Sequence, residues 1–339
     1  GGKRSVLDID EGDFWNTFLE KTFHPSNLEV VVRMGRQELQ FGAQRLVSPL
    51  DWANNRRIFD GGHVIISRDK PWQLDIFLTK TVDVDPNKLT NNELGDIVFT
   101  GAYYTRTLGE SGRKMDAYLL GKFFDEKMAI EDERYTLGGR YYGRYSDNVS
   151  FDIEAALQIG SHQVRPSNSD DILAWMVTVE GTYTFNQFAH KPWITLGIDY
   201  ATGDDDPNDG EVNTFSHLFP LAHAYLGFTD VVGRQNIVDY RATVGLWPMP
   251  GKLRLRGDAH FLFLEDDDDG LYGAGGTPSQ PSADESEVGV ALDFTALYMF
   301  SSHANLLMGY SLFFAGDYIE ATGPDDDINF FYAQWGYTF

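Results

Sequence analysis

An all-β, antiparallel up-and-down β-barrel that crosses a membrane is the architecture expected of these 339 residues, on three grounds. Apolar and polar residues alternate with period 2 through segments of about ten residues or more, longer than the strands of soluble sandwiches. The final run sets Phe331, Ala333, Trp335, Tyr337 and Phe339 against Tyr332, Gln334, Gly336 and Thr338, which gives that strand one lipid-compatible face. The longest apolar runs, such as Ile172 to Val177, fall far short of the roughly 20 residues a membrane-spanning helix needs. Lipid can then be crossed only by a wall whose backbone amides all find partners within it.

The alternation predicts fifteen strands, near 14–24, 28–40, 60–69, 72–82, 95–107, 112–124, 132–144, 147–160, 171–185, 191–203, 233–246, 251–264, 286–299, 304–315 and 328–339. In the twelfth, Leu253, Leu255, Ala259, Phe261 and Phe263 share a face predicted to meet lipid, and Arg254, Arg256, Asp258 and His260 share one predicted to meet water. Phe151, Ile153, Ala155, Leu157 and Ile159 likewise oppose Asp152, Glu154 and Gln158, and Val238, Tyr240, Ala242 and Val244 oppose Asp239, Arg241 and Thr243. Short turns near 24–27, 68–71, 109–112, 145–148, 247–251 and 301–303 alternate with long connections near 41–59, 83–94, 125–131, 161–170, 204–232, 265–285 and 316–327. One barrel rim is therefore expected to carry turns and the other loops, with the loops extracellular if the closing strand runs toward the periplasm. The chain reads as one domain over 1–339. An odd strand count implies that an odd number of strands precedes Gly1, because first and last strands of an up-and-down barrel pair antiparallel.

A net charge of −24 argues against nucleic acid as a partner, and the absence of cysteine excludes thiol catalysis, disulfides and cysteine–zinc sites. Residues 1–5 show no apolar signal-peptide core, so a processed or unrepresented segment is expected before them. No His-Glu-x-x-His pair, nucleophile elbow or phosphate loop is present, and no enzymatic activity is expected. Acidic runs at 204–210, 265–269 and 325–327 fall on the loop rim, where divalent cations would bridge them to lipopolysaccharide phosphates. Asp204, Asp206 and Asn208 space oxygen ligands loosely like a calcium loop but lack its terminal glutamate. No other cofactor is expected.

Residues 33–61 read RMGRQELQFGAQRLVSPLDWANNRRIFDG. This stretch resembles the signature of the alginate-export family of outer-membrane proteins, in which GRQ, L, RLV, P, DW, N, R and FDG follow at these spacings. Thr214–Phe215 with the run 223–230, and the run 273–278 leading into 287–293, are similar to later blocks of the same family. The resemblance implies a monomeric, eighteen-stranded barrel in the bacterial outer membrane, with three strands upstream of residue 1. It further implies an electropositive lumen that passes anionic alginate outward, with export partners in the periplasm.

A polyuronate carries a carboxylate on every sugar, so a conduit for it needs guanidinium forks facing water in a narrow lumen. Arg241, Arg254 and Arg256 meet that requirement by alternation, with Arg140 and Lys122 as additions and Asp258 on the same face. Arg33 and Arg36 match the signature, and a bulge at Gly35 would let both face the lumen. The opposing reading pairs these arginines with lumen carboxylates, Asp116, Asp152, Glu154, Asp199, Asp239, Asp258 and Asp293, and makes them structural. Arg45, Asp51, Trp52, Asn54, Arg57 and Asp60 make the first long connection either a sugar-contacting loop or a salt-bridged seal. Residues 214–228, with Phe215, His223 and Tyr225, are too apolar for a solvated loop and are expected to fold into the lumen or pack on the rim. Three functions follow: a channel for anionic saccharides, a small-solute porin, or a surface-binding barrel plugged by its own loops.

Overall fold

A computed structural model of the chain describes residues 15–53, 56–68, 71–83, 94–109, 112–124, 130–164 and 169–338. The tips of the long connections expected near 83–94, 125–131 and 161–170, the turn residues 69–70 and 110–111, Asn54 and Phe339 lie outside the described residues. The wall begins with β1 (Thr17–Phe23), β2 (Glu29–Gln37), β3 (Phe59–Arg68), β4 (Trp72–Val82), β5 (Leu94–Leu108) and β6 (Arg113–Phe124). It continues through β7 (Ile130–Arg144), β8 (Val149–Val164), β9 (Asp170–Thr184) and β10 (Trp193–Ala201). A short β11 (Glu211–Val212) pairs parallel to β9 and lies off the wall. The wall resumes with β12 (Ile237–Met249) and β13 (Leu253–Phe263), and a two-stranded flap, β14 (Leu271–Tyr272) and β15 (Pro278–Gln280), follows. The last wall strands are β16 (Glu287–Met299), β17 (Ala304–Ala315) and β18 (Ile328–Tyr337), with a six-residue helix α1 (Asp317–Thr322) before the final one.

The fifteen wall strands match the fifteen read from alternation, each antiparallel to its sequence neighbour, in one sheet that runs from β1 to β18. Among the described residues no pairing joins β1 to β18. The shift between predicted and observed bounds is largest in β12. Residues 233–236 leave the ladder because Asn236 adopts φ +47°, and a register shift between Leu246 and Met249 carries Pro248, which has no N–H to donate, past a break in the pairing.

Both faces follow the predicted alternation. Leu19, Leu78, Leu137, Leu196, Phe261 and Phe331 stand exposed on the outer face. The inner face buries Asp75, Asp116, Glu154, Thr178, Asp199, Asp239, Asp258 and Asp293. This polarity, apolar outside and charged inside, is that of a wall in lipid and the reverse of a soluble barrel.

Two connections pack against the inner face of the wall. The first, 38–58, is bridged to the second, 202–236, by Phe219 N–H donating to Leu46 O (2.9 Å), Ser48 N–H to Phe219 O (2.8 Å) and Leu221 N–H to Gln44 O (2.9 Å). Their apolar residues, Leu39, Phe41, Val47, Phe215, Leu218, Phe219 and Leu226, pack with Phe59, Phe77, Phe99 and Tyr103 from the inner faces of β3, β4 and β5. Of the two placements expected for 214–228, this is the inward one.

Arginine on the outer face is a direct probe of this arrangement. Leu196→Arg, at mid-strand in β10, is expected to lower folding stability by ~2–4 kcal/mol, measured by urea-dependent refolding into phospholipid vesicles; an unchanged midpoint would place Leu196 outside the hydrocarbon zone.

Candidate functional site

The sharpest turn of the lumen loop aims Arg45 across the barrel. Gln44 holds φ +62° just before it, and the bridges at Leu46 and Val47 fix the backbone just after it. The guanidinium, 1% exposed, donates from Nη1 to Asp152 Oδ1 (3.1 Å) and Glu154 Oε2 (3.0 Å) on β8 and from Nη2 to Glu180 Oε1 (3.0 Å) on β9. Burial alone would disfavour its charge, but Tyr225, Asp152, Glu180 and Glu154 hold its pKa well above the ordinary arginine value.

Three more guanidinium groups complete the cluster. Arg140 on β7 donates from Nε to Asp152 Oδ1 (2.8 Å) and lies 3.7 Å from Asp116. Arg241 on β12 bonds Glu180 and the carbonyl of Tyr225 (3.4 Å). Arg234, fully buried, donates to Asp199 Oδ1 (2.6 Å) and to the Arg45 carbonyl (3.1 Å). Tyr118 donates to Glu154 (3.0 Å) and Tyr103 to Asp116 (2.9 Å). At the centre Tyr225 bonds the Ala43 carbonyl and offers its ring to Arg45, Arg234 and Arg241 at 4.9, 5.5 and 5.9 Å. Four cations here face five carboxylates, so the cluster is close to neutral.

Arg45, Arg140, Arg241 and Tyr225 are thus brought together with the predicted lumen acids Asp116, Asp152, Glu154 and Asp199, and the other predicted cations and loop residues fall elsewhere. Arg33 donates to Glu20 (2.7 Å) across the β1–β2 ladder. Gly35 adopts φ +131°, yet the register through it is unbroken, with Arg33 opposite Glu20 and Arg36 opposite Thr17. The bulge expected there is absent, so Arg36 takes the opposite face from Arg33 and pairs with Asp60 (3.0 Å). On β13, Arg256 pairs with Asp258 (2.7 Å), which also accepts from Thr243 (2.5 Å). Arg254 has no hydrogen-bond or ion-pair partner among the described residues, and its Nε is buried. Lys122 lies over Phe124 and Phe219 at 5.3 and 5.5 Å. In the first loop, Asp51 pairs with Arg56, and Arg57 Nη1 donates to the carbonyls of Ser48 (3.1 Å) and Pro220 (3.2 Å). Trp52 stacks on His223 with centroids 3.7 Å apart, and Phe215 is fully buried in the lumen core.

Of the predicted calcium set, Asp204 is buried while Asp206 and Asn208 are exposed, and Asp206 Oδ1 accepts the Asn208 N–H (3.0 Å). Among the described residues, the three carboxylates that converge within 4.8 Å are Asp266, Asp267 and Asp268 on the neighbouring loop. Burial, with Asp269, Asp209 and Asp205 nearby, pushes the Asp204 carboxyl up to about 6.

Sequence reasoning missed Arg234 and Glu180. Glu180 is in phase with the inward Thr178 and Thr182 of β9, so alternation could have found it. Arg234 lies in a connection with no periodicity, and only the tertiary placement of Asp199 and the Arg45 carbonyl reveals its role.

A sequence profile of the alginate-export family matches residues 3–332. A search of curated proteins found no significant match. Among solved structures, Pseudomonas aeruginosa OccK8 (OprE) aligns over 94% of this chain and 80% of its own, with TM-score 0.56 and 14% identity. Acinetobacter baumannii OccAB1 aligns over 91% and 73% with TM-score 0.56 and 12% identity. P. aeruginosa OccK2 (OpdF), solved in complex with glucuronate, aligns over 95% and 80% with TM-score 0.55 and 12% identity. At these identities the likeness is one of fold.

Removing Arg45 would leave Glu154 with Tyr118 alone, Asp152 with Arg140 and Glu180 with Arg241. Arg45→Ala is expected to cost ~3–5 kcal/mol, the range for a broken buried ion pair, read from urea unfolding in detergent; a loss below 1 kcal/mol would mean the carboxylates are solvated. The raised pKa of Asp204 means the folded loop binds its proton more tightly than the unfolded chain does. The associated stability is complete below the ordinary carboxylate range and is lost as pH rises through about 6. Protease cleavage within 202–236 should therefore be slower at pH 5 than at pH 7.5, and Asp204→Asn should shrink that difference.

Proposed function

This chain belongs to the alginate-export family, and from that membership we propose that it is an outer-membrane channel passing anionic saccharides by diffusion past cations on its inner wall. The carrying observation is a contrast in charge compensation. The cluster around Tyr225 is matched by carboxylates, so it fixes the loops and adds little net field. On β13, Arg254 has no hydrogen-bond or ion-pair partner among the described residues, and Arg256 beside it on the same face, a quarter exposed, pairs with Asp258, so two arginines there meet one carboxylate. An anion crossing the lumen meets uncompensated positive charge there, where a narrow low-dielectric space screens it less than bulk water does. OccK2 carries a glucuronate, a sugar acid, in its solved structure, and a uronate or short oligouronate is the substrate class proposed here.

A second reading is favoured by the 1% and 0% exposure of Arg45 and Arg234: the two lumen loops seal the barrel, and transport waits on their displacement. Conductance separates the readings. In a planar bilayer under a salt gradient, the wild-type protein is expected to show an anion-preferring reversal potential and block by an oligouronate but not by a neutral glucan of equal length. Arg254→Glu with Arg256→Glu should abolish that preference. Cation preference without block would overturn the anionic-saccharide reading, and conductance absent from the wild type that appears on Arg45→Ala would favour the sealed barrel.

A further inference from the structure

Away from the Tyr225 cluster, a cleft of about 650 Å³ opens between the two lumen loops, the flap and the inner side of β18. That size falls in the range of small-molecule sites. Trp52 is its largest aromatic wall, with Tyr332 edge-on at 4.7 Å and Phe228 stacked on Tyr332 at 5.4 Å. His223 lies against Trp52 and is 5% exposed. Its Nδ1 faces Asp230 Oδ1 at 3.2 Å, which makes Nδ1 the donor, and its buried Nε2 has no partner.

Arg57 supplies the charge. It lines the same cleft, and among the described residues it has no carboxylate partner. Nη1 is occupied by two carbonyls, which leaves Nε and Nη2 with no hydrogen bond among the described residues. Burial without an opposite charge pulls its pKa down to about 10. The contrast with Arg45, an arginine of the same loop that meets three carboxylates, is direct. A half-buried guanidinium that meets the Phe219 ring (5.5 Å) but no carboxylate among the described residues, beside an unspent imidazole nitrogen and an indole, is a recognition site suited to an anion with hydroxyls and an apolar face.

We propose that this cleft is a sugar-acid subsite, in which the pyranose ring packs on the Trp52 and Tyr332 wall, a ring hydroxyl donates to His223 Nε2, and the carboxylate takes the free edge of Arg57. The assignment rests on the reading of the chain as a channel for anionic saccharides and names where such a solute pauses. Asp230 lines the cleft too, but His223 engages it, so it orients the imidazole.

The test is equilibrium binding to the detergent-solubilised protein, followed by tryptophan fluorescence and calorimetry, with trigalacturonate and neutral maltotriose as probes. The uronate should bind at least tenfold more tightly than the neutral trimer. Arg57→Gln should erase that difference, and Arg57→Lys, which keeps a charge and a donor for the two loop carbonyls, should restore part of it. His223→Phe, which keeps a ring against Trp52, should weaken both probes severalfold. Equal binding of the two trimers to the wild type, or uronate affinity unchanged in Arg57→Gln, overturns the subsite. Bilayer currents of the wild type provide the separation: an Arg57-dependent uronate preference in a wild-type protein whose currents show no anion preference would keep the subsite and sink the channel reading, and the converse result would do the reverse.

Discussion

A guanidinium carried away from water into the lumen is costly unless its charge is matched, and the centre of this barrel's interior is organised by that cost. Arg45 reaches from a loop to carboxylates on two wall strands, Arg234 ties the second loop to Asp199 and to the Arg45 backbone, and Arg140 and Arg241 share the same acids. Without these partners the loops would have no reason to lie inward against a charged wall. With them, the apolar residues of 38–58 and 202–236 gain a lumen core of their own, beneath which Phe59, Phe77 and Phe99 are removed from solvent.

The same requirement sorts the cations by role. Those whose charge is fully met hold the structure, and those left unmet, Arg254 on the wall and Arg57 in the cleft, are where an anionic solute gains most by arriving. The sorting also bears on how a chain of overall charge −24 could pass anions, as proposed above. Twelve of the 51 acidic residues lie in three loop runs, 204–210, 265–269 and 325–327, away from the middle of the wall.

Gly35 shows how local signals mislead. A glycine flanked by two signature arginines invites a bulge that would turn both inward. The backbone does take a positive φ there, but the ladders to β1 and β3 stay in register. Arg33 and Arg36 therefore find different acids on different faces. Register is a property of paired strands, and a single strand does not disclose it.

Alternation along each strand was enough to establish the wall, its fifteen strands and the inward or outward direction of Arg241, Arg254, Asp258 and their neighbours, because the period of a strand is 2 and lipid tolerates only one kind of face. It could not say which inward cations are compensated. Arg45 and Glu154 are separated by 109 residues and Arg234 and Arg45 by 189, and neither pair shares any periodicity. Nor could it tell that Trp52, Arg57 and His223 line one cleft, since that depends on how two aperiodic loops cross inside the barrel. Direction is written locally by the backbone; compensation is decided only when distant segments meet.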